Sequence, residues 1–447
     1  GISEFAMESY FGRINLSYLD RYILNVTMRS DGSSRFAPSD RYGYFPSVSL
    51  GWNVSKESFW KFPQTDLKFR LSYGKTGNQD GIGNYAWQPL MSGGINYGNN
   101  SGMAVTSMGN NKLTWETADQ YDFGFDLGFW NGKLNMIADI YLKNTNNLLY
   151  SMPLHGTSGF TSITSNIGSM RNYGVEFSIN GHLNIGKVNW TSSFNISHNK
   201  NKLTKLLGDD LLPIGSNRAL KVGEELGAFY LFQMDGLYQY DGEVPQPLYD
   251  LGVRAGDVKY HDADNNGIIN DNDRVLTGSS NPDFFGGWNN TFKYKGFQLD
   301  VFFTYMYGND VYAEWAVTAT RPGYRMAITE DVAKNRWTAP GSSDKYPRAV
   351  NTLCGHNSKN STRFLEDGSF IRLRSLTFSY TFPQVMLQKI CLKGLRLYVQ
   401  GDNLLLFSKY SGWDPEVSKN MDPQYFGVDL YGVPPSRSVN FGINLSF

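Results

Sequence analysis

Two cysteines and five histidines in 447 residues leave little material for a disulfide scaffold or a histidine-based catalytic array. His155, His182, His198, His261 and His356 are scattered, without triad or metal-ligand spacing, and read as surface or lumen residues. No pair of carboxylates is spaced for acid–base work, so a hydrolytic enzyme is the weakest class. No stretch of about 18 apolar residues exists to form a membrane helix. Lys+Arg and Asp+Glu stand at 41 each, which gives no sign of a nucleic-acid or strongly acidic partner. No signal peptide is visible at the N-terminus.

What the chain does have is alternation. Val439, Phe441, Ile443, Leu445 and Phe447 alternate with Asn440, Gly442, Asn444 and Ser446. An extended strand sends successive side chains to opposite faces, so one face here is apolar and the other polar or small. Tyr121, Phe123, Phe125, Leu127 and Phe129 repeat the pattern, as do Leu299, Val301, Phe303, Tyr305 and Tyr307. A half-buried strand of a soluble sandwich alternates too. These runs, however, reach about 9–12 residues, the length that crosses a bilayer at a tilt. Aromatic residues make up 15% of the chain, with 28 Tyr and 29 Phe, which fits girdles at two membrane interfaces.

The expected fold is all-β, a transmembrane antiparallel β-barrel. We count about thirteen strands, near 8-18, 22-31, 42-55, 67-76, 116-130, 133-145, 170-182, 187-200, 284-294, 297-309, 369-383, 394-407 and 436-447. Their connections alternate in length. Short ones fall near 19-21, 56-66, 131-132, 183-186, 295-296 and 384-393. Long ones fall near 32-41, 77-115, 146-169, 201-283, 310-368 and 408-435. Short turns on one side and long loops on the other are the outer-membrane barrel pattern, with short turns in the periplasm. An odd strand count is unlike single-chain bacterial barrels, so the chain reads as the C-terminal part of a larger one. Its first and last strands would each then need a neighbour from outside the chain. Arg13, Arg29, Lys68, Arg70, Asp122, Asp126, Glu176, Asp300 and Arg396 all sit at polar-face positions, as a wet or plugged lumen requires.

One loop has the spacing of a metal site. Residues 262–273 read D-A-D-N-N-G-I-I-N-D-N-D. Asp262, Asp264 and Asn266 fall at positions one, three and five of a twelve-residue calcium loop, with Gly267 at six. Ile268 would offer its carbonyl at seven, with Asn270 at nine and Asp273 at twelve. Hard oxygen donors favour Ca2+ in a structural role, although Asp replaces the usual Glu at twelve and no flanking helices are evident. The alternative is an Asp/Asn/Gly-rich surface turn.

Other features carry less. Gly74-Lys75-Thr76 lacks the upstream glycine and following helix of a phosphate loop and reads as a strand end. Cys354 and Cys391 fall on opposite membrane faces in this topology, so no disulfide is expected. Trp87, Trp115, Trp315, Trp337 and Trp413 lie in long loops, where aromatic faces stack on sugars or anchor the loop. Trp52, Trp60, Trp130, Trp190 and Trp288 read as girdle.

Several stretches carry a family resemblance: E-S-Y-F-G-R-I-N-L-S-Y (8–18), F-P-S-V-S-L-G-W (45–52), L-S-Y-G-K-T-G-N-Q (71–79), N-P-D-F-F-G-G-W-N-N-T-F (281–292), D-G-S-F-I-R-L-R-S-L-T-F-S-Y (367–380) and V-Q-G-D-N-L-L-L-F-S-K-Y-S-G-W-D-P-E-V (399–417). The chain resembles the C-terminal part of SusC/RagA-like TonB-dependent outer-membrane transporters. The resemblance implies a barrel of about 22 strands filled by an N-terminal plug, of which residues 1–447 would hold the later wall strands and no plug. It implies a SusD-like surface lipoprotein as lid, energy from TonB-ExbB-ExbD acting through the plug, and a dimer of transporter–lipoprotein pairs. The cargo would be oligosaccharide or peptide. Aromatic loops favour glycan, with Trp87, Trp315, Trp337 and Tyr346 as contacts. A passive porin-like channel or a surface glycan-binding β-protein is the alternative function.

Overall fold

The computed structural model describes residues 3–206, 211–323, 326–350, 355–388, 392–419 and 425–447. The chain divides into two compact units, Gly1–Asp210 with Lys221–Glu224, and Leu211–Leu220 with Glu225–Phe447. Cys354 and Cys391 lie outside the described residues.

The first unit contains eight long strands: β1 (Met7–Tyr18), β2 (Tyr22–Ser33), β3 (Tyr42–Asn53), β4 (Thr65–Asn78), β5 (Glu116–Phe129), β6 (Leu134–Pro153), β7 (Ser162–Ile185) and β8 (Val188–Leu206). Each pairs antiparallel with the next in chain order. The second contains five more: β9 (Phe284–Tyr294), β10 (Phe297–Tyr307), β11 (Phe370–Thr381), β12 (Gly394–Ser408) and β13 (Ser438–Ser446), paired in the same up-and-down manner. All thirteen expected strands are present. No helix among the described residues is long and apolar enough to cross a membrane.

Register explains why each sheet is two-faced. Leu16, Leu24, Leu50, Leu71, Phe123, Ile140 and Val175 are matched partners across seven strands. In the second unit Phe292, Leu299, Phe378, Val399 and Phe441 form the corresponding row. One residue along, Thr291, Asp300, Thr377, Gln400 and Asn440 form a polar row on the other face. A one-residue slip would exchange the two faces, so pairing and patterning enforce each other. Most of the apolar row is solvent-accessible: Leu16, Leu50, Leu71, Phe123, Phe378 and Phe441 are all exposed. A water-soluble protein does not leave so broad an apolar face open, whereas a lipid-facing wall does.

Within each unit the tight turns sit at one end of its strands. Between Tyr294 and Phe297 only Lys295 (φ 46°) and Gly296 (φ 89°) turn the chain. Two positive φ values in a two-residue loop match the right-handed twist of the flanking strands. A Cβ on Gly296 would lie 2.7 Å from the Thr381 carbonyl oxygen.

One expected loop is not a loop. Residues 146-169 are mostly strand, because β6 and β7 continue as a hairpin well past the expected strand ends. The reversal occupies only the short segment 154–161, where His155 caps a 3₁₀ turn ending at Gly159 (φ 76°). The segment is polar and lacks the apolar alternation that the strands were read by. Ladder hydrogen bonds, which need no side-chain pattern, carry the hairpin onward through bulges near Leu148.

Long connections are folded rather than loose. In the first unit Phe36, Phe45, Ile82, Leu113 and Trp115 form a small core at the long-loop end. Trp115 donates from Nε1 to the Arg41 carbonyl at 3.0 Å, so it anchors its loop. In the second unit residues 228–232 and 274–279 pair antiparallel, with Arg218 matched to Phe229.

Candidate functional site

The polar strand face is the first candidate. In the first unit Arg70 on β4 reaches Asp126 on β5 (3.0 Å) and Asp139 on β6 (2.8 Å). Asn25 donates to Ser49 at 3.1 Å beside Arg13 and Thr27, lining a shallow polar hollow. In the second unit Thr291 and Gln298 donate to Asp300, at 2.7 and 2.8 Å. Gln400, Ser438 and Asn440 converge on Asp402. These faces thus offer hydrogen-bonding side chains interspersed with glycine, and Arg70 pairs its charge with carboxylates on two neighbouring strands. Such a face tolerates water and polar solutes and would be costly against hydrocarbon.

The loop body of the second unit is the other candidate. Two cores hold it. One packs Phe229, Leu231, Val311, Tyr312, Phe364, Tyr410 and Val428. The other packs Phe232, Leu237, Tyr238, Leu248, Val253, Val258 and Tyr260. Buried Asp257 ties three segments together. It receives both Arg348 Nε and Nη2 at 2.9 Å, Asn357 Nδ2 at 2.8 Å and the Arg254 backbone N–H at 2.9 Å. A bidentate arginine satisfies both carboxylate oxygens, which makes burial of this charge tolerable. Arg218 and Arg363 are buried against neutral acceptors instead. Burial pulls each guanidinium down to about 10, against an ordinary value of 12.5. Arg218 donates to the carbonyls of Gly227 (2.8 Å) and Phe426 and to Ser280 Oγ. Arg363 donates to the Thr320 carbonyl at 2.7 Å.

The loop returns to the wall through an ion-pair cluster. Arg372 on β11 contacts Asp414 at 2.6 Å, with side chains 3% and 5% exposed, and its Nε lies 3.0 Å from Glu416. Arg374 also binds Glu416, at 2.8 Å. I-R-L-R and W-D-P-E lie some forty residues apart in the sequence. Nothing in their separate patterns signals that they meet.

The four aromatics expected to touch substrate divide between the two units. Trp87 belongs to the first unit and the other three to the second. Trp315 packs against the first loop core and donates to Tyr410 Oη at 3.1 Å. Trp337 packs against the second core and donates to Gln239 Oε1 at 3.1 Å. Tyr346 is its neighbour: the Trp337 N–H donates to the Tyr346 carbonyl at 2.8 Å, while Tyr346 Oη donates to Asp331 at 2.6 Å. Trp413, in contrast, is 80% exposed.

The acidic loop brings three of its carboxylates together. Carboxylate oxygens of Asp262, Asp264 and Asp273 all lie within 4.8 Å of one another. Asn265 (φ 57°) and Gly267 (φ 78°) take the left-handed conformations that wrap the chain around them. Asp262 accepts the Gly267 N–H at 2.7 Å and the Asn266 N–H at 3.1 Å. The Gly267 bond foremost holds its carboxyl below the usual aspartate range. Asp273 is fully buried and accepts from the Ala263 and Asn270 N–H groups, at 2.9 and 2.7 Å. Asn270 in turn caps the 3₁₀ turn Asp271–Asp273. The Asn266 and Asn270 amide oxygens accept the Ile268 and Asn272 N–H groups. The donors are all hard oxygens, and the three negative charges face one another, so the set fits a hard divalent cation.

Two-faced strands of membrane-crossing length, tight turns at one end and a folded loop body define an outer-membrane β-barrel wall of the receptor class. The chain belongs to the TonB dependent receptor-like β-barrel family, whose model matches residues 3–404. It is 34% identical to TonB-dependent receptor P3 of Formosa agariphila over 100% of the chain and 46% of that relative. It is 31% identical to TonB-dependent receptor SusC of Bacteroides thetaiotaomicron, over 98% of the chain and 43% of SusC. The RagAB peptide transporter superposes with a TM-score of 0.86 at 27% identity, covering 100% of this chain and 48% of that one. The chain therefore spans about half the length of the curated relatives it matches. It is an outer-membrane protein of the TonB-dependent transporter class.

Proposed function

We propose that the whole protein to which this wall belongs is an active importer of the SusC type. It moves oligosaccharides or oligopeptides into the periplasm with energy transmitted by TonB-ExbB-ExbD. A SusD-like surface lipoprotein covers its outer mouth, and two such pairs associate as a dimer. The observation that carries this reading is a set of strands that each couple a lipid-compatible apolar face to a hydrogen-bonding polar face, in a chain whose relatives are TonB-dependent receptors. Uptake that collapses when TonB is deleted or the proton gradient is dissipated supports import. Unchanged uptake would mean a passive pore.

Two cargo classes have separate support. Glycan rests on the loop aromatics, of which Trp337 and Tyr346 adjoin each other and Trp413 is well exposed. Peptide is favoured by the likeness to RagAB, a peptide transporter by description. Calorimetry of the transporter–lipoprotein complex against both classes decides between them, and Trp337→Ala weakens binding if the aromatic pair is the contact.

We also propose that Asp262, Asp264 and Asp273, with Asn266, Asn270 and the Ile268 carbonyl, hold a structural Ca2+. Support comes from the convergence of three carboxylates on one point. Chelation should increase protease cleavage in the 260–275 segment. Identical cleavage with and without chelator would refute the site.

A further inference from the structure

We infer that the short-turn rim is a basic collar that binds anionic phospholipid headgroups of the periplasmic leaflet. The first unit carries four short turns, at 19–21, 54–64, 130–133 and 186–187, all at the same end of an up-and-down sheet. They contain Arg21, Lys56, Lys61, Lys133 and Lys187, against Asp20 and Glu57 as the acidic residues. Glu57 is already engaged by Arg21 at 3.4 Å, Tyr22 Oη at 2.6 Å and Trp52 Nε1 at 3.0 Å. The four lysines are exposed, and among the described residues none makes an ion pair. The chain as a whole has a formal net charge of +0, so the excess at this end is a local arrangement. At the opposite end the connections are nearly balanced, with Arg35, Arg41 and Lys112 against Asp40 and Asp80. Arg35 there lies 3.6 Å from Asp80.

Position decides what these ammonium groups meet. Tyr18, Tyr22, Trp52, Phe59, Phe62 and Trp130 are exposed at the same end. Such rings settle at the level of the headgroups. Lys61 lies between Phe59 and Phe62, Lys133 follows Trp130 by three residues, and Lys187 precedes Trp190 by three. The lysines therefore extend from the apolar boundary into the phosphate layer, where a compact cation on a flexible stem finds a phosphodiester oxygen. The second unit repeats the arrangement by itself. Its turns at 295–296 and 382–393 contain no acidic residue, and Lys293, Lys295 and Lys393 are exposed. Lys295 Nζ lies 5.4 Å from the Tyr294 ring centroid. Each such side chain near an anionic surface strengthens attachment about fivefold. This inference rests on the outer-membrane location and not on the transport reading.

The test uses the full-length transporter, folded and extracted from vesicles of equal phosphatidylglycerol and phosphatidylethanolamine, with retained lipids counted by native mass spectrometry. The variant combines Lys56→Gln, Lys61→Gln, Lys133→Gln and Lys187→Gln. The control combines Lys112→Gln, Lys202→Gln and Lys205→Gln at the long-loop end. Phosphatidylglycerol should be retained preferentially by the unmodified protein and by the control. The preference should fall more than tenfold in the variant and return when the same four positions carry arginine. Equal retention of both lipids by the unmodified protein, or equal loss in variant and control, would overturn the collar. If the variant does not fold, as judged by heat-shifted electrophoretic migration, a salt titration of the unmodified protein decides. Loss of the preference with salt upholds the inference and salt-independence overturns it.

Discussion

Placing an arginine at Leu376 puts the membrane reading under its hardest strain. Leu376 on β11 is matched with Val301 on one side and with Gly401 on the other, and Gly401 with Val439. Tyr380, four residues nearer the short turns, sits in the row Tyr294, Phe297, Tyr380, Leu397 and Ile443, whose aromatics mark the interface. At ~3.4 Å per residue and a tilt of ~40°, Leu376 lies about 10 Å deeper than Tyr380. That is close to the middle of an apolar band ~25 Å tall, where an arginine facing lipid costs ~2–4 kcal/mol. A cost of about 3 kcal/mol lowers the folded-to-unfolded ratio by roughly 150-fold. Thr377, the next residue, points to the other face, matched with Asp300 and Gln400. Thr377→Arg places the same charge opposite a carboxylate and should cost under about 1 kcal/mol. The assay is reversible urea-driven folding of the full-length transporter into vesicles, with each variant read against the unmodified protein. Equal penalties at 376 and 377, or a larger one at 377, would refute the assignment of faces.

Three further outcomes follow from the loop body. Removing Arg372 from its buried pair with Asp414, by Arg372→Met, should cost ~3–5 kcal/mol in the anchoring of residues 408–419, because the Asp414 charge is left buried and alone, whereas Asp414→Asn should cost less because Arg372 keeps Glu416 at 3.0 Å. Hydrogen exchange of that segment reads the loss, and unchanged protection would argue against the pair as the anchor. Asp264→Ala should act chiefly through a bound cation, since exposed Asp264 otherwise gives up only its solvent-accessible bonds from Asn266, whereas Asp273→Ala also strips acceptors from the Ala263 and Asn270 N–H groups at ~1–3 kcal/mol. Melting with and without chelator separates the two, and equal effects in chelator would contradict the distinction. His356 is pushed below its ordinary value of 6.5, first by burial, while its Nε2 lies 2.8 Å from the Val258 carbonyl. A base with a depressed folded value favours folding above the unfolded value, and that contribution is lost as pH falls below about 6.5. Protection of residues 355–364 should therefore weaken between pH 7.5 and pH 5, and His356→Gln should flatten the change. A steep dependence retained in that variant would assign the titration to another group.

The wall was legible because its signal is local. A strand that separates lipid from water must alternate every second residue, so Val439 to Phe447 or Tyr121 to Phe129 could be recognised without knowing their partners. Loop interiors were not legible in this way. Spacing leaves open whether Trp115 and Trp315 stack on sugars or anchor their loops, because it does not reveal burial. Both are held by indole hydrogen bonds within folded loops. The 146–169 hairpin is not legible in the sequence because backbone ladders carry it past the end of its side-chain pattern. The acidic loop's three carboxylates lie within one twelve-residue segment, so their approach to one another follows from local spacing. Residue order alone does not disclose that Asp273 is buried while Asp264 is exposed.

The amino-acid order by itself determined the strand set, the two faces of each strand and the end at which the tight turns lie. These depend on period-two hydrophobicity and on turn residues that act within a few positions of one another. Tertiary structure alone decided which loop residues are neighbours. Arg372 meets Asp414, Asp257 meets Arg348 and Asn357, and Trp337 meets Tyr346. Packing brings these groups together from distant parts of the chain, and desolvation then selects the pairs whose charges and hydrogen bonds are satisfied.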